Sequence, residues 1–310
     1  MAESNAARRY LDPVVISQLD TMELRARLIV EGFITGLHRS PYRGFSVEFA
    51  EHRPYNPGDE LRHVDWKVYA KTDRYFIKQY EEETNLRNYV VLDTSASMRY
   101  QGEGGLSKLD YGAYLAAGLH NLMLKQRDAT GLIGFDESVH TFRPPKATQG
   151  YLRQLLVALE RIHGREPEGE RTSAAAALEE VAQRVKRRSL VVVITDLFEN
   201  IAAHDDLLRA LRHLRHRGHE VIVFHVLEGQ TERQFRFPER PMLFRDVETG
   251  EEVSLRPAQL RDHYTEAVAH FTETFRRSCL EHDIDFAELD TNEPYDTALM
   301  AYLNKRARLA

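Results

Sequence analysis

Asp93-Thr94-Ser95-Ala96-Ser97 follows directly on the apolar run Tyr89-Val90-Val91-Leu92. One carboxylate and two hydroxyls on a tight turn are hard oxygen donors. Such a set suits Mg²⁺ or Mn²⁺ and poorly suits zinc or copper. Much later a second apolar run, Leu190-Val191-Val192-Val193-Ile194, ends in Thr195-Asp196. Two buried strands, each delivering an acid at its carboxyl end, describe a ligand site at the edge of a parallel sheet.

Other chemistries fit these residues less well. Asp and Ser after a strand can simply cap the next helix, which is the plain alternative for the turn alone. A phosphatase of the haloacid dehalogenase type needs a second Asp two residues after the first, where Ser95 stands. The chain has no G-x-S-x-G elbow and no G-x-x-x-x-G-K-[ST] phosphate loop. Gly102, Gly104 and Gly105 come too late after the strand for a dinucleotide fingerprint and read as a flexible loop beside the turn. His213, His216 and His219 lie among arginines at a helix end and read as solvent-facing rather than as zinc ligands.

The elements that must position these residues follow from periodicity. Residues 12 to 38 carry Leu19, Met22, Leu24, Leu28, Ile29, Phe33 and Leu37 near helical spacing, which predicts one amphipathic helix. Pro41 and Gly44 would end it. From Phe45 to Gln79 the pattern is short and alternating, with a turn at Tyr55 to Asp59 and a strand over Arg74 to Tyr80. Beyond that, strands are expected at 88–93, 130–135, 189–195, 220–227 and 284–289, with a short edge strand at 138–142. Helices are expected at 108–127, 148–163, 172–187, 204–217, 257–282 and 295–307, and a hairpin over Arg233 to Leu255 with its turn at Glu248 to Glu251. Strands alternating with helices predict an α/β fold with a doubly wound, mostly parallel sheet. The division expected is a helix-plus-β module over residues 1–85, then the α/β domain over 86–310.

At 310 residues the chain is long enough for a full core. A net charge of -6 argues against nucleic acid as a partner. The basic run from Arg209 to Arg217 is interleaved with Leu208, Leu211 and Leu214 and reads as a solvated helix face. Cys279 is the single cysteine, which excludes an internal disulfide and suits a reducing compartment. The opening residues lack a basic stretch followed by an apolar one, and no apolar run approaches the roughly 20 residues of a membrane span. The expectation is a cytoplasmic protein without membrane insertion.

The spacing of Asp93, Ser95 and Ser97, with Thr172 in a distant loop and Thr195-Asp196 after a central strand, resembles von Willebrand factor A domains. Upstream, Gly44 to Phe49 and the stretch Arg53-Pro54-Tyr55-Asn56-Pro57-Gly58-Asp59-Glu60-Leu61-Arg62-His63-Val64-Asp65-Trp66-Lys67 resemble the signature of a bacterial uncharacterised family. Its members are typically encoded beside MoxR-type AAA+ ATPases. The resemblance implies a sheet order of 3-2-1-4-5-6 with an antiparallel edge strand. It also implies a metal-ion-dependent adhesion site, in which Asp93, Ser95, Ser97, Thr172 and Asp196 hold Mg²⁺ or Mn²⁺. The chain departs from the A-domain pattern twice. The threonine loop reads Arg171-Thr172-Ser173, so either Thr172 or Ser173 completes the shell, and Leu197 follows Asp196 where glycine is common.

A cation with few direct carboxylates stays electrophilic and recruits a further ligand from a partner, such as an Asp or Glu side chain. The reading is therefore a non-enzymatic, metal-dependent adaptor that works with a MoxR-type AAA+ ATPase on client proteins. The alternatives are a metal-dependent phosphoester hydrolase and a metal-free scaffold. In the upstream signature, Asp59, Arg62 and Asp65 read as an internal ion-pair network, and Trp66 as core.

Overall fold

The computed structural model describes residues 12–39, 52–54, 76–78, 86–103, 105–165, 174–197, 204–246 and 250–309. Two helices, α1 (Pro13–Ser17) and α2 (Met22–Arg39), lead the chain, followed by a small antiparallel pair, β1 (His52–Pro54) with β2 (Phe76–Lys78). Then come β3 (Arg87–Asp93), α3 (Lys108–Lys125), β4 (Ala129–Phe135), β5 (Val139–Lys146), α4 (Gln149–His163), α5 (Ala174–Arg184), β6 (Leu190–Thr195), α6 (His204–His216) and β7 (Glu220–Leu227). A hairpin, β8 (Met242–Arg245) with β9 (Glu252–Leu255), precedes α7 (Pro257–Glu281), β10 (Ile284–Asp290) and α8 (Asp296–Leu309).

Six strands form the central sheet in the order β10-β7-β6-β3-β4-β5, all parallel except the edge strand β5. Counted along the domain, this is the 3-2-1-4-5-6 order that the resemblance implies, and the fold is α/β and doubly wound. The alternation of side chains explains why helices cover both faces. Val90 and Leu92 of β3, with Val192 and Ile194 of β6, enter the core under α2, α3, α4 and α8. Tyr89 and Val91, with Val191 and Val193, enter the opposite core under α5, α6 and α7. A strand buried on both faces reads as a continuous apolar run, as these do.

The sheet's direction of winding reverses between β3 and β6, which are hydrogen-bonded neighbours with Leu92 opposite Ile194. Their carboxyl ends therefore open side by side into one crevice. Helix α3 closes over both strands at Gly112, where a Cβ would lie 3.1 Å from Leu92 Cδ1 and 3.2 Å from Ile194 Cγ2. Sixteen of the eighteen residues of α3 are buried, because the sheet lies on one side and α2 on the other.

The single helix expected over 12 to 38 is two helices. Asp12 caps α1 by accepting from Val14 N at 2.9 Å. Thr21 caps α2 by accepting from Leu24 N at 3.3 Å, and Arg25 spans the break by donating to Ser17 O and Leu19 O. Side-chain caps end one helix and begin the next although the apolar spacing runs through. The edge strand extends to Lys146, beyond the expected 142, because it pairs with β4 through two bulges. The segment after β7 opens with a π-helical turn, Gly229–Arg233, before the hairpin, so the hairpin is shorter than expected. Most of the upstream signature, Trp66 included, lies outside the described residues. No described helix is long and apolar enough to cross a membrane.

Helix α2 belongs to the same core as the sheet: Ile29 has no exposed surface and meets α3 at Gly118, while Arg25 lies over the Tyr114 ring at 4.6 Å. Ile29→Ala is expected to cost about 2–5 kcal/mol in urea denaturation. Leu24→Ala on the exposed face is expected to stay within about 0.5 kcal/mol of the parent.

Candidate functional site

Four of the five predicted ligands come together at the switch point. Asp93 is the last residue of β3 and is 2 % exposed, and Asp196 follows β6 and is 2 % exposed. The intervening turn is fixed from several sides. Asp93 Oδ1 accepts from Ser95 N at 3.0 Å, and Asp93 Oδ2 accepts from Thr195 Oγ1 at 2.6 Å. Thr94 ties the turn to the end of β4, donating from N and Oγ1 to Phe135 O, each at 2.8 Å. Met98, fully buried, pins the far side into the core. The result is that Ser95 Oγ and Ser97 Oγ lie 3.0 Å apart, both buried, beside the two acids.

The helix-capping alternative for the turn does not hold. Ala96 precedes the short 3₁₀ turn Ser97–Arg99 and makes no side-chain cap. Helix α3 is capped instead by Ser107, whose hydroxyl accepts from Asp110 N at 3.0 Å and donates to Asp110 Oδ2 at 2.7 Å. The two serines of the turn are thus free of the duty that commonly explains them.

Asp196 is held by both its backbone and its side chain. His225 Nε2 donates to Asp196 O at 3.0 Å, and Lys108 Nζ donates to Asp196 Oδ2 at 2.7 Å. Lys108 also donates to Glu232 Oε1 at 2.5 Å and has no exposed surface. Glu232 in turn accepts from Glu228 N at 2.8 Å, which anchors the π-helical turn. Leu197 has φ of 56°, in the left-handed region that favours glycine, which explains why glycine commonly stands there. Leu197 is nonetheless buried, and its amide is fixed by Thr195 Oγ1 at 3.3 Å. Strain of this sort costs about 1–3 kcal/mol and gathers at functional sites.

The electrostatics follow from burial. Desolvation first, and the nearby Asp196 charge second, push the Asp93 carboxyl up from 3.8 to about 7, against the hydrogen bonds from Thr195 and Ser95. Burial pulls the Lys108 ammonium down, but Asp196 and Glu232 outweigh it and hold the amine above its ordinary value. Burial raises Glu232, with Lys108 opposing. Among the described residues no group of three or more His, Cys, Asp or Glu gathers in a metal-holding arrangement. A cation here would therefore rest on two acids and two hydroxyls, with water for the remainder. That donor set is all hard oxygen and suits a small divalent ion rather than zinc.

The family model described as "Protein of unknown function DUF58" matches residues 51–274. The chain belongs to this family. A relative, the uncharacterized protein Rv1480 of Mycobacterium tuberculosis, is 28% identical over 261 residues, covering 83% of this chain and 79% of that protein. The uncharacterized protein Mb1516 of Mycobacterium bovis matches to the same extent. Among solved structures, BatB from Bacteroides thetaiotaomicron is similar with a TM-score of 0.47 at 18% identity, covering 72% of this chain and 99% of that one. The SpRpn10 VWA domain is similar with a TM-score of 0.39 at 11% identity, covering 69% and 93%.

Thr172 and Ser173 lie outside the described residues, so the fifth ligand position has no place in this geometry. Lys108, Glu232 and Thr195 were not singled out as site residues from sequence. Lys108 gave no local signal. Glu232 gave none, because a π-helical turn carries no periodicity. Two local expectations need correction. His219 is buried, not solvent-facing, because Gly218, with φ of 85°, turns the chain inward from α6 to β7. The described residues on either side of Gly104 are braced: Gln101 bridges Ser107, and Gly102 lies so close to Glu228 that a Cβ would come 2.6 Å from its Cδ.

The Asp93 shift has a consequence for stability. Between about 4 and about 7 the folded chain keeps a proton that the unfolded chain has released. The native state then binds more protons, so stability falls as pH rises through that window. In EDTA, the parent is expected to lose roughly 2–3 kcal/mol more than Asp93→Asn between pH 5 and pH 8, read by urea denaturation. Equal losses in the two proteins would remove Asp93 as the strained group.

Proposed function

We propose that this chain is a metal-dependent protein-binding adaptor whose site is built on Asp93, Ser95, Ser97 and Asp196, with Thr172 or Ser173 joining from a separate loop. The observation that carries the reading is the convergence of two adjacent, buried serine hydroxyls with two buried acids from neighbouring strand ends. A bound Mg²⁺ or Mn²⁺ would supply an open coordination position for an outside carboxylate. The residues of the chain supply everything else. Ser95 and Ser97 present oxygens without charge and Lys108 offsets one of the two carboxylates, so the negative charge needed to balance a divalent ion is left incomplete. Asp93 and Asp196 orient the shell, held by Thr195 and Lys108. An Asp or Glu on a client protein completes such a site.

Binding fits these residues better than hydrolysis. A metal-assisted hydrolase needs a base beside the ion that is at liberty to take a proton. Asp93 accepts from Thr195 and Ser95, while Asp196 and Glu232 both accept from Lys108. We place the protein in the cytoplasm, where a buried, single Cys279 is at home. The partner that would perform work on the client is a MoxR-type AAA+ ATPase, and this part rests on the resemblance of the upstream signature.

The test is affinity capture with the full chain, in Mg²⁺ and in EDTA, alongside Asp93→Ala. The cognate MoxR-type ATPase and any client recovered are quantified. Client recovery is expected to fall at least about tenfold in EDTA and in the variant, a loss equal to about 1.4 kcal/mol. Equal recovery in all arms would mean that association does not use this site.

A further inference from the structure

We infer that Lys108 is a built-in counter-charge that sets how tightly the site takes a divalent cation, with Glu232 drawing that charge away from Asp196. This rests on the metal-binding reading above. Nζ of Lys108 bridges Asp196 Oδ2 at 2.7 Å and Glu232 Oε1 at 2.5 Å, and the side chain is fully buried.

Two costs weigh against the lysine serving stability alone. It occupies the first position of α3, directly after the Ser107 cap, where the helix dipole disfavours a cation. It is also a fully buried charge, and a buried ion pair seldom stabilises a fold better than apolar residues of the same size. What it gains is control of Asp196. Without a cation, Asp93 and Asp196 are two buried carboxyls at adjacent strand ends, and the Asp196 charge disfavours ionisation of Asp93. Lys108 neutralises one of them and keeps the oxygens in place before any metal arrives.

The same ammonium repels an incoming divalent ion, and in a buried setting that repulsion is large. Affinity for the cation alone is thereby held down, so a partner carboxylate contributes more of the total. Glu232 tunes this. Sharing Lys108 with Glu232 weakens its hold on Asp196, so removing the Glu232 charge strengthens the field of the ammonium at the site. The two residues therefore act in opposite directions on the site.

The experiment is calorimetric titration of the full chain with Mg²⁺ alone, with thermal melts in Mg²⁺ and in EDTA as a second readout. Lys108→Met is expected to bind Mg²⁺ at least about tenfold more tightly than the parent, and Glu232→Gln at least about threefold more weakly. Lys108→Met is also expected to melt lower than the parent in EDTA and to gain more from Mg²⁺. If both variants shift affinity the same way, or Lys108→Met binds no tighter while the parent binds, the counter-charge role is overturned and the metal site stands. If the parent itself shows neither heat nor a melting shift, the metal-binding reading falls and this role falls with it. Should Lys108→Met not fold, Glu232→Gln decides: weaker binding supports the inference, and equal or tighter binding overturns it.

Discussion

Two carboxylates at the ends of hydrogen-bonded strands, both buried, are the constraint around which this molecule is arranged. Left alone they would repel one another, and burial would drive at least one to hold a proton. The structure shows the compensation in full. Thr195 and the Ser95 amide serve Asp93, and Lys108 serves Asp196. Several described segments contribute a contact: β4 fixes the turn, β7 supplies His225, and the π-helical turn supplies Glu232.

The sheet makes the encounter unavoidable. Successive strands wind outward in opposite senses from β3 and β6, which leaves a crevice at their carboxyl ends. Register then sets the depth. Leu92 opposite Ile194 aligns the ends of β3 and β6 at one level, and Ile194 opposite Phe224 carries β7 past them to Leu227. Close packing of α3 at Gly112 brings its first turn, and with it Lys108, down to that level. A cation within the helix and an acid on the strand thus meet because backbone approach permits it.

Much of this was legible in the sequence. The strands β3, β6 and β7 announced themselves as unbroken apolar runs because helices cover both of their faces. The acid-and-serine turn was legible because its position after such a run gives it only one place in a parallel sheet. What escaped was set by tertiary contact. Nothing local distinguishes Lys108 from a lysine that extends into solvent, since its burial depends on Asp196 and Glu232, both distant in sequence. The break between α1 and α2 was hidden because the apolar spacing continues across it, and only the caps at Asp12 and Thr21 mark it. His219 looked like one of a set of exposed histidines, yet the turn at Gly218 separates it from the other two. At Leu197 the departure from glycine was visible, but not that leucine would take the glycine-like conformation and bury its side chain as well.

The most direct test of the account is crystallographic. Crystals grown with Mn²⁺ should show an anomalous peak between the hydroxyls of Ser95 and Ser97, about 2.0–2.3 Å from each oxygen. A map with no peak there, or with Mn²⁺ confined to surface carboxylates, would contradict the central claim that these strand ends form a cation site.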